Sequence, residues 1–203
     1  MSAQGHAKGG RQDDDGGGEL SEYRRKRDFD RTREPGGGSA DGGEPRFVVQ
    51  IHDASRMHFD FRLEADGVLK SWAVPKGPST DPHDKRLAMP TEDHPLDYRD
   101  FEGTIAEGQY GAGTVIIWDE GTWHQERGSS VADALRRGHL SFELNGRKLR
   151  GGYALTRFRQ GKGEAWLLVK RDDSHASDHG TPDPVRARSA RTGRTLRQVA
   201  SDD

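Results

Sequence analysis

The stretch Met57-His58-Phe59-Asp60-Phe61-Arg62-Leu63-Glu64 alternates apolar and polar side chains without a break. Alternation with a period of two is the pattern of a half-buried β-strand, because successive side chains of a strand point to opposite faces. One face is entirely apolar. The other face carries a histidine, an aspartate and an arginine, and it therefore predicts a metal site with an anion clamp beside it.

A second strand is expected just before this one. Residues 47–52, Phe-Val-Val-Gln-Ile-His, have strand-forming composition, and Asp53-Ala54-Ser55-Arg56 has the composition of a turn. The two strands are therefore expected to form a hairpin in which His52 lies opposite His58. The even-numbered positions of both strands then share one face, so that His52 joins the polar residues of the alternating stretch.

The rest of the chain is rich in short strands separated by turn residues. One helix is expected over residues 131–137, ended by Gly138, and another over 21–33 with Ser21 or Asp28 as N-cap. These patterns predict a mostly β fold, a compact closed or curled antiparallel β-barrel with one or two short flanking helices. Further strands are expected at residues 68–74, 86–89, 114–118 with 122–124 as its hairpin partner, 140–144 followed by a hairpin turn at Asn145-Gly146, 148–150, 153–158 and 166–170.

Composition divides the chain into four segments. Hydrophobic residues concentrate between about Phe47 and Val169, whereas both ends are polar and rich in glycine or arginine. The four expected segments are a disordered N-terminal segment over residues 1–20, an N-terminal arm with a glycine-rich linker over 21–45, a β-barrel domain over 46–173, and a disordered arginine-rich tail over 174–203.

Composition also limits the class of function. The 203 residues are 30% hydrophobic and 33% charged, with a formal net charge of −2 and no cysteine. Any metal must therefore be held by histidine or carboxylate. The net charge argues against a non-specific DNA coat, although basic clusters at 24–27 and 186–197 allow local contacts with nucleic acid. With no long apolar run and no signal-peptide core, we expect a soluble, cytoplasmic protein without membrane contact.

His52, His58 and Asp60 are the candidate metal ligands. Side chains two positions apart on a strand point the same way, so His58 and Asp60 can reach one ion. His52 completes a two-histidine, one-carboxylate set that leaves positions open for water and substrate. The alternative is that His58 and Asp60 merely form a surface pair.

Arg62 continues the same face, and its guanidinium matches two oxygens of a phosphate. Lys76 and Arg86, which follow in or near the next loops, could converge on the same anion. The alternatives are a salt bridge of Arg62 with Glu64 or Asp60, and ordinary surface positions for Lys76 and Arg86.

His94 precedes Pro95, which favours an extended backbone and stiffens the loop. A histidine held in a rigid loop suits proton transfer or contact with a transferring phosphoryl group, and Tyr98 could hydrogen-bond the same group. The alternative is a histidine on a surface loop. The glycine-rich residues 107–113 lack the Gly-Lys-Ser/Thr of a phosphate loop and are expected to form a bend in a barrel strand.

Two other classes of function stay open on these residues alone. A two-histidine, one-carboxylate iron oxygenase would use His58, Asp60 and His94 as ligands, and it would need a pocket for oxygen or a 2-oxo acid rather than a group of cations. A non-catalytic nucleic-acid-binding barrel would need aromatic side chains on an exposed sheet face, whereas the strand aromatics here have the pattern of core residues.

Five ordered blocks of the sequence resemble the 3′-phosphoesterase module of bacterial DNA ligase D, here in a free-standing form. The similarity covers about residues 20–173, and the order in which the blocks occur is highly specific. The blocks are Tyr23-Arg24-Arg25-Lys26-Arg27-Asp28-Phe29 with Thr32 and Glu34-Pro35; residues 47–64; Trp72-Ala73-Val74-Pro75-Lys76-Gly77-Pro78; Asp93-His94-Pro95-Leu96 with Tyr98; and residues 101–113.

The resemblance implies a β-barrel enzyme that heals DNA 3′ ends in non-homologous end joining, with manganese as cofactor and cobalt or zinc as alternatives. It implies removal of a 3′-terminal ribonucleoside from a DNA or DNA–RNA primer-template, and then removal of the 3′-phosphate to leave a 3′-OH. The family roles carried over by motif are metal ligands for His52, His58 and Asp60, phosphate contacts for Arg62, His94 and Tyr98 with Lys76 and Arg86 nearby, and arm contacts in the nuclease step for Arg27, Asp28 and Glu34.

Two departures from the family pattern stand out. The chain has no Lys-x-Asp-Gly nucleotidyl-transfer motif, so a separate DNA ligase, polymerase or end-binding protein is the expected partner. Ala106 stands where the resemblance leads us to expect proline, which affects loop stiffness more than chemistry. We expect a monomer associated with the nucleoid, and the arginine-rich tail lies outside the resemblance.

Overall fold

The computed structural model describes residues 18–37, 42–126, 128 and 130–202. Most of the predicted disordered segment over residues 1–20, and residues 38–41 of the predicted linker, lie outside the described residues. The elements within this range are α1 (Ser21–Arg25), β1 (Arg46–Asp53), β2 (Met57–Ala65), β3 (Val68–Val74), β4 (Arg86–Pro90), a 3-10 helix (Leu96–Asp100), β5 (Gly103–Ile105), β6 (Gly113–Gln125), α2 (Val131–Arg137), β7 (His139–Gly146), β8 (Arg150–Arg159), β9 (Ala165–Lys170) and α3 (Leu196–Asp202).

The strands form an antiparallel sheet that closes on itself. Its order is β1–β2–β3–β4–β9–β8–β7–β6, and β6 pairs back onto β1 to complete an eight-stranded barrel, while β5 pairs with the start of β6. Closure gives each of these eight strands two hydrogen-bonded neighbours. The predicted mostly β fold with a closed antiparallel barrel is confirmed.

The hairpin predicted around the alternating stretch is confirmed. β1 and β2 pair antiparallel with His52 opposite His58. Odd-numbered residues such as Phe59 and Phe61 point into the barrel, where they are completely buried in the main hydrophobic core. The even-numbered residues therefore share the outer face, and this register brings the predicted polar side chains together.

β6 is one continuous strand, although the sequence predicts two strands over 114–118 and 122–124 joined as a hairpin. That prediction is wrong because Gly121 does not turn the chain. It allows close approach of β7 instead, since a Cβ at this position would lie 2.2 Å from the carbonyl oxygen of Asn145. β6 can thus pair with β1 along residues 114–122 and with β7 along 121–125.

The hairpin predicted at Asn145-Gly146 is shifted along the chain. Asn145 pairs with Arg150, so residues 146–149 form the turn, and β8 follows as one strand rather than two pieces. The buried carboxylate of Asp119 fixes this turn, because it accepts hydrogen bonds of 2.8 to 3.0 Å from the backbone N–H groups of residues 147–149. A tertiary contact therefore overrides the local turn preference of Asn-Gly.

The helix predicted over residues 131–137 is confirmed as α2. The Ser130 side chain accepts a hydrogen bond from a backbone N–H of the first turn, and Gly138 ends the helix in the left-handed conformation. The sequence patterns do not anticipate the 3-10 helix, which follows Pro95 and its φ of −65°. No helix among the described residues is long and apolar enough to cross a membrane.

The helix predicted over residues 21–33 is shorter than expected. α1 ends at Arg25, and Leu20 rather than Ser21 or Asp28 occupies the N-cap position. Asp28 instead accepts a hydrogen bond from the backbone N–H two residues further on, within a turn after the helix. The Tyr23 hydroxyl donates a hydrogen bond to the Pro35 carbonyl at 2.6 Å, so the arm doubles back instead of continuing as a helix.

Residues 187–199 pack against the barrel, contrary to the predicted disordered tail over 174–203. Leu196 and Val199, on one face of α3, are buried in the main core. The backbone N–H of Ala190 donates a hydrogen bond to the carbonyl of Ile117 at 2.7 Å. The arginine-rich composition hides this packing because only a few apolar residues, spaced three apart on one helix face, carry it.

Replacing Leu196 by alanine is expected to lower the free energy of unfolding by about 2–5 kcal/mol, because the substitution leaves a cavity beneath α3. The matched control is Arg197→Ala, an exposed residue of the same helix, which should change stability by less than about 0.5 kcal/mol. Urea denaturation followed by tryptophan fluorescence measures both values. Equal stabilities for the two variants would contradict the packing of the tail.

Candidate metal centre

The polar face of β1, β2 and β3 is covered by a second layer made of the 3-10 helix and the N-terminal arm, residues 18–37. Asp60 and Arg62 are consequently only 5% and 2% exposed. The half-buried strand predicted from alternation is therefore buried on both faces. A small hydrophobic cluster attaches the layer to β3, and its members are Tyr23, Leu69, Leu96 and Tyr98. Charged groups beneath such a cover interact more strongly than at a surface.

His52, His58 and Asp60 converge on one point. One ligand atom from each lies within 4.8 Å of the others. The separations from His52 Nδ1 to Asp60 Oδ2 and from His58 Nε2 to Asp60 Oδ1 are both 3.6 Å. Ligand atoms on a tetrahedral ion with bonds of about 2.1 Å lie roughly 3.4 Å apart. The group could therefore hold a metal ion with little rearrangement.

The second ring nitrogen of each histidine faces a backbone carbonyl. His52 Nε2 lies 2.7 Å from the oxygen of Gly111, and His58 Nδ1 lies 2.9 Å from the oxygen of Arg56. A carbonyl only accepts, so these nitrogens carry the protons and the opposite nitrogens keep lone pairs directed at the shared point. Metal-ligating histidines are oriented in this way. Gly111 presents its carbonyl with a φ of +73°, a conformation that favours glycine.

The pKa values of the group favour a bound cation. Burial alone would raise the pKa of Asp60, but the charge of Arg62 and then the two neighbouring histidines hold it well below its usual range. Burial alone would lower the pKa of His58, but the adjacent Asp60 carboxylate raises it. Asp60 is therefore ionised at neutral pH and attracts positive charge to the point between the histidines.

Several partners fix Arg62 beside the three candidate ligands His52, His58 and Asp60, which are called the metal group below. The Nε of Arg62 donates to Gln50 Oε1 at 2.8 Å, and its Nη1 donates to Ser71 Oγ at 2.9 Å. Its Nη2 lies 3.1 Å from Asp60 Oδ2, so the salt bridge considered as an alternative from sequence is present. The salt bridge does not remove Arg62 from the site, because it holds the guanidinium against the candidate metal ligands.

His94 is buried next to Arg62 and is not a surface-loop residue. Its backbone forms two hydrogen bonds with that of Leu69, at 2.8 and 3.1 Å, which fix the loop to the edge of β3. Nδ1 lies 2.8 Å from the Glu92 carbonyl oxygen and 3.0 Å from Arg62 Nη1, while Nε2 faces Arg27 Nη2 at 3.4 Å and can accept a hydrogen bond from it. Burial, followed by the charges of Arg62 and Arg27, lowers the pKa of His94 well below its usual range, so the imidazole is neutral at pH 7.

The N-terminal arm reaches the site through Arg27. The guanidinium donates to Glu34 Oε1 at 2.9 Å and to Glu92 Oε1 at 3.1 Å, and it lies 3.8 Å from the ring centre of Tyr23. Lys26 adds an ion pair of 3.1 Å with the other oxygen of Glu92. The arm thus covers the site through a series of ion pairs, in which Arg27 and Lys26 share Glu92 and Arg27 also binds Glu34.

Tyr98 borders the site, but its hydroxyl binds the arm. The hydroxyl donates to Glu34 Oε1 at 3.0 Å, and burial together with the charge of Glu34 raises the pKa of Tyr98 well above its usual range. Its ring packs edge-to-face on His94 with centroids 4.7 Å apart. Tyr98 therefore positions Glu34 and His94, and its contact with phosphate stays a prediction.

Three residues predicted for the site lie away from the metal group. Lys76 is exposed beyond the end of β3, where Pro75 has ended the strand. Arg86 donates to Asp84 at 2.7 Å, and neither Lys76 nor Arg86 borders the site cavity. Asp28 is exposed in the turn after α1 and does not border the cavity either. Substrate contacts for these three residues stay predictions.

Gln50 and Glu92 also belong to the site, although neither is among the residues predicted from the sequence. Gln50 is completely buried, and its side-chain amide donates to the carbonyls of Tyr98 and Phe101 at 3.1 and 2.9 Å. The alternation of strand positions could have identified Gln50, because even-numbered residues of β1 share one face and His52 lies on it. Glu92 receives both cations of the arm, and periodicity carries no signal for that contact. Glu92 borders the cavity, and so do five further residues that were not predicted for the site, Ala54, Thr91, Ile105, Tyr110 and Gly111.

These groups enclose a cavity of about 250 Å³. It is smaller than the pockets of about 300–1,000 Å³ that bind drug-sized ligands, and it suits a phosphoryl group with part of a sugar. Arg27 and Arg62 border it together with the candidate metal ligands. Such an arrangement can bind an anion and neutralise negative charge that develops on it.

Comparison with known proteins gives consistent matches. A family model of the DNA ligase D 3′-phosphoesterase domain matches residues 50–157. The chain is 55% identical over 161 residues to the multifunctional non-homologous end joining protein LigD of Pseudomonas aeruginosa, covering 77% of this chain and 19% of that protein. It is 47% identical over 150 residues to the multifunctional non-homologous end joining DNA repair protein LigD of Mycobacterium tuberculosis, covering 73% of this chain and 19% of that protein. The chain spans about a fifth of the length of these relatives.

Replacing His94 by asparagine is expected to reduce the loss of stability on acidification. The pKa of His94 is depressed in the folded protein and is about 6.5 in the unfolded chain, so below about pH 6.5 the unfolded chain binds the proton more readily and stability falls. The measurement is the free energy of unfolding from about pH 7.5 to about pH 5 in EDTA. His83→Asn, at an exposed histidine, is the control and should follow the wild type. A His94→Asn curve parallel to the wild type would contradict the neutral buried imidazole.

Proposed function

The chain belongs to the family of DNA ligase D 3′-phosphoesterase domains, and we propose that it is a metal-dependent hydrolase that heals DNA 3′ ends. The proposed steps are removal of a 3′-terminal ribonucleoside, which leaves a 3′-phosphate, and removal of that phosphate to leave a 3′-OH. Manganese is the proposed ion, with cobalt and zinc as alternatives. Histidine and carboxylate ligands suit all three ions.

The observation that carries the proposal is the position of Asp60 between the histidines and Arg62. Its Oδ2 lies 3.6 Å from His52 Nδ1 and 3.1 Å from Arg62 Nη2. A phosphoryl group bound at this point would contact an ion and a guanidinium at once. Positioning and neutralisation of this kind supply most of the catalysis in phosphoryl transfer.

The mechanism assigns separate tasks to the buried side chains. A bound divalent ion would polarise a phosphoryl oxygen and lower the pKa of a coordinated water. Arg62 would hold a second phosphoryl oxygen, because Gln50 and Asp60 fix the direction of its guanidinium. A phosphate entering beside His94 offsets the nearby cations and raises the basicity of its imidazole. Nε2 can then take the proton that the attacking water releases as its oxygen bonds to phosphorus, and pass it to the oxygen that leaves when the ester P–O bond breaks.

The iron-oxygenase alternative has less support. It requires His94 as a ligand together with His58 and Asp60, whereas the histidine that shares their point is His52. His94 lies 3.4 Å from Arg27 Nη2 and 3.0 Å from Arg62 Nη1, and two guanidinium groups suit an anion better than a metal ion. A non-catalytic binding barrel would give the buried metal group no role.

The proposed substrates are 3′ ends of DNA or DNA–RNA primer-templates in non-homologous end joining. The two relatives are named as non-homologous end joining proteins, which supports this pathway. The 3′-OH product is the form that a DNA ligase or polymerase must use, so such an enzyme, or a protein that binds DNA ends, is the proposed partner. We place the activity in the cytoplasm at the nucleoid, and a monomer suffices because residues of one chain border the cavity.

A 5′-labelled primer-template that ends in one 3′-ribonucleotide is expected to be converted by manganese and the protein first to a 3′-phosphate and then to a 3′-OH. EDTA and His58→Ala should abolish both steps, because His58 supplies a ligand atom. His94→Ala should reduce turnover about 10²–10⁴-fold while manganese affinity stays near that of the wild type. Denaturing gels follow the products, and isothermal titration calorimetry measures metal binding.

The control for this experiment is His124→Ala, because His124 is an exposed histidine on β6. It should leave both steps unchanged. Joint loss of metal affinity and turnover in His94→Ala would instead place His94 among the ligands. No product from either substrate with manganese, cobalt or zinc would sink the phosphoesterase proposal.

Arg27→Ala is expected to slow ribonucleoside removal by about tenfold or more, the effect of losing one charge-assisted hydrogen bond, and to slow phosphate removal less. A phosphodiester carries a nucleoside on both sides and needs the arm to hold it, whereas a terminal phosphate can bind the metal group and Arg62 alone. Arg25→Ala, at an exposed residue of α1, is the matched control. Equal slowing of both steps would argue against this role of the arm.

A further inference from the structure

We propose that an apolar ledge next to the cavity binds the nucleotides that lead to the 3′ end of the substrate strand. The ledge consists of Ala73, Leu87, Met89 and Leu167 on the outer face of β3, β4 and β9. This inference deepens the proposed function and rests on it, because it names where the strand lies when its end occupies the cavity.

The ledge is a cluster of two exposed and two half-buried apolar side chains. Leu87 and Met89 occupy the outward positions of β4 and are 38% and 39% exposed, while Ala88 between them is buried in the core. Leu167 on β9 pairs in register with Leu87. Outward positions of an antiparallel sheet that face water are usually polar, and neighbouring exposed apolar side chains mark a contact surface.

The ledge is continuous with the candidate site. Asp60 pairs in register with Ala73, and Ala73 pairs with Met89, so the three residues form one row across β2, β3 and β4. Strands lie about 4.8 Å apart, which puts Met89 about 10 Å from Asp60 along the sheet. Two residues after Met89 the chain reaches Thr91, which borders the cavity. About three stacked nucleotides, at roughly 3.4 Å each, span that distance.

The chemistry around the ledge favours a nucleic-acid strand as the occupant. Lys85 precedes Leu87 by two positions and is exposed, and Lys76 is exposed beyond the end of β3. Lysines of this kind can bind backbone phosphates, while aliphatic side chains contact sugars and bases. An apolar strip with cations at its border therefore matches both parts of a nucleotide. Lys76 then contacts the strand rather than the scissile phosphate.

The test is the double variant Leu87→Ser with Met89→Ser, assayed on 3′-phosphate substrates of two lengths. The long substrate is a strand of about 12 nucleotides in a primer-template, which extends past the ledge, and the short one is a dinucleotide with a 3′-phosphate. We expect KM for the long substrate to rise about fivefold or more with kcat unchanged, since apolar contact is lost away from the reacting group. The kinetic constants for the dinucleotide should stay at wild-type values.

Val185→Ser is the matched control, because Val185 is an apolar residue of the tail that is 65% exposed. It should leave both substrates unaffected. Lys85→Ala should reduce the slope of log affinity against log salt concentration by about 1 for the long strand. An unchanged KM for the long strand in the double variant, or an equal rise for both substrates, overturns the proposal.

Binding separates failure of the ledge from failure of the proposed function. Fluorescence anisotropy in EDTA measures the affinity for a labelled long strand that ends in 3′-OH, and it needs no turnover. Weaker binding by the double variant supports the ledge even if the wild type hydrolyses neither substrate. Unchanged binding, combined with loss of self-association in sedimentation velocity, would show that the ledge is an interface between protein copies and overturn the proposal.

Discussion

The burial of one guanidinium constrains the whole site. A buried arginine is stable only when its N–H groups find acceptors, and those of Arg62 reach Gln50 on β1, Asp60 on β2 and Ser71 on β3. Gln50 is held in turn by the carbonyls that flank the end of the 3-10 helix. Arg62 therefore couples the positions of three strands and of the segment that covers them. The candidate metal ligands lie on two of these strands, so the same contacts fix their positions.

Charge balance explains how so many ionised groups can share a small buried volume. Arg62 faces Asp60, and Arg27 faces Glu34 and Glu92, so each guanidinium has a carboxylate within about 3 Å. A divalent cation and a terminal phosphate carry nearly equal and opposite charges. Binding both together adds little net charge to the site, whereas binding either one alone would disturb the balance.

The alternation of apolar and polar residues predicts the strands at the centre of the molecule. It does not predict the segments at the periphery. The alternation through Phe59 and Phe61 correctly predicts β2, its hairpin register and the shared face of the metal group, because a period of two fixes side-chain direction directly. It fails at Gly121, where close approach of a neighbouring strand, and not a turn, requires glycine. It also fails for the arm and for α3, whose positions depend on a few distant contacts that leave no repeating pattern.

The site lies between two hydrophobic clusters of very different size. The barrel core extends through every barrel strand, whereas Tyr23, Leu69, Leu96 and Tyr98 form the small cluster that holds the outer layer. The free energy of a local opening grows with the apolar area that it exposes, so the outer layer opens more readily than the barrel unfolds. Such an opening separates Arg27 and Tyr98 from the metal group while the sheet stays intact. On heating, the protein would therefore lose the proposed activity at temperatures where its β-sheet circular dichroism signal has not yet changed.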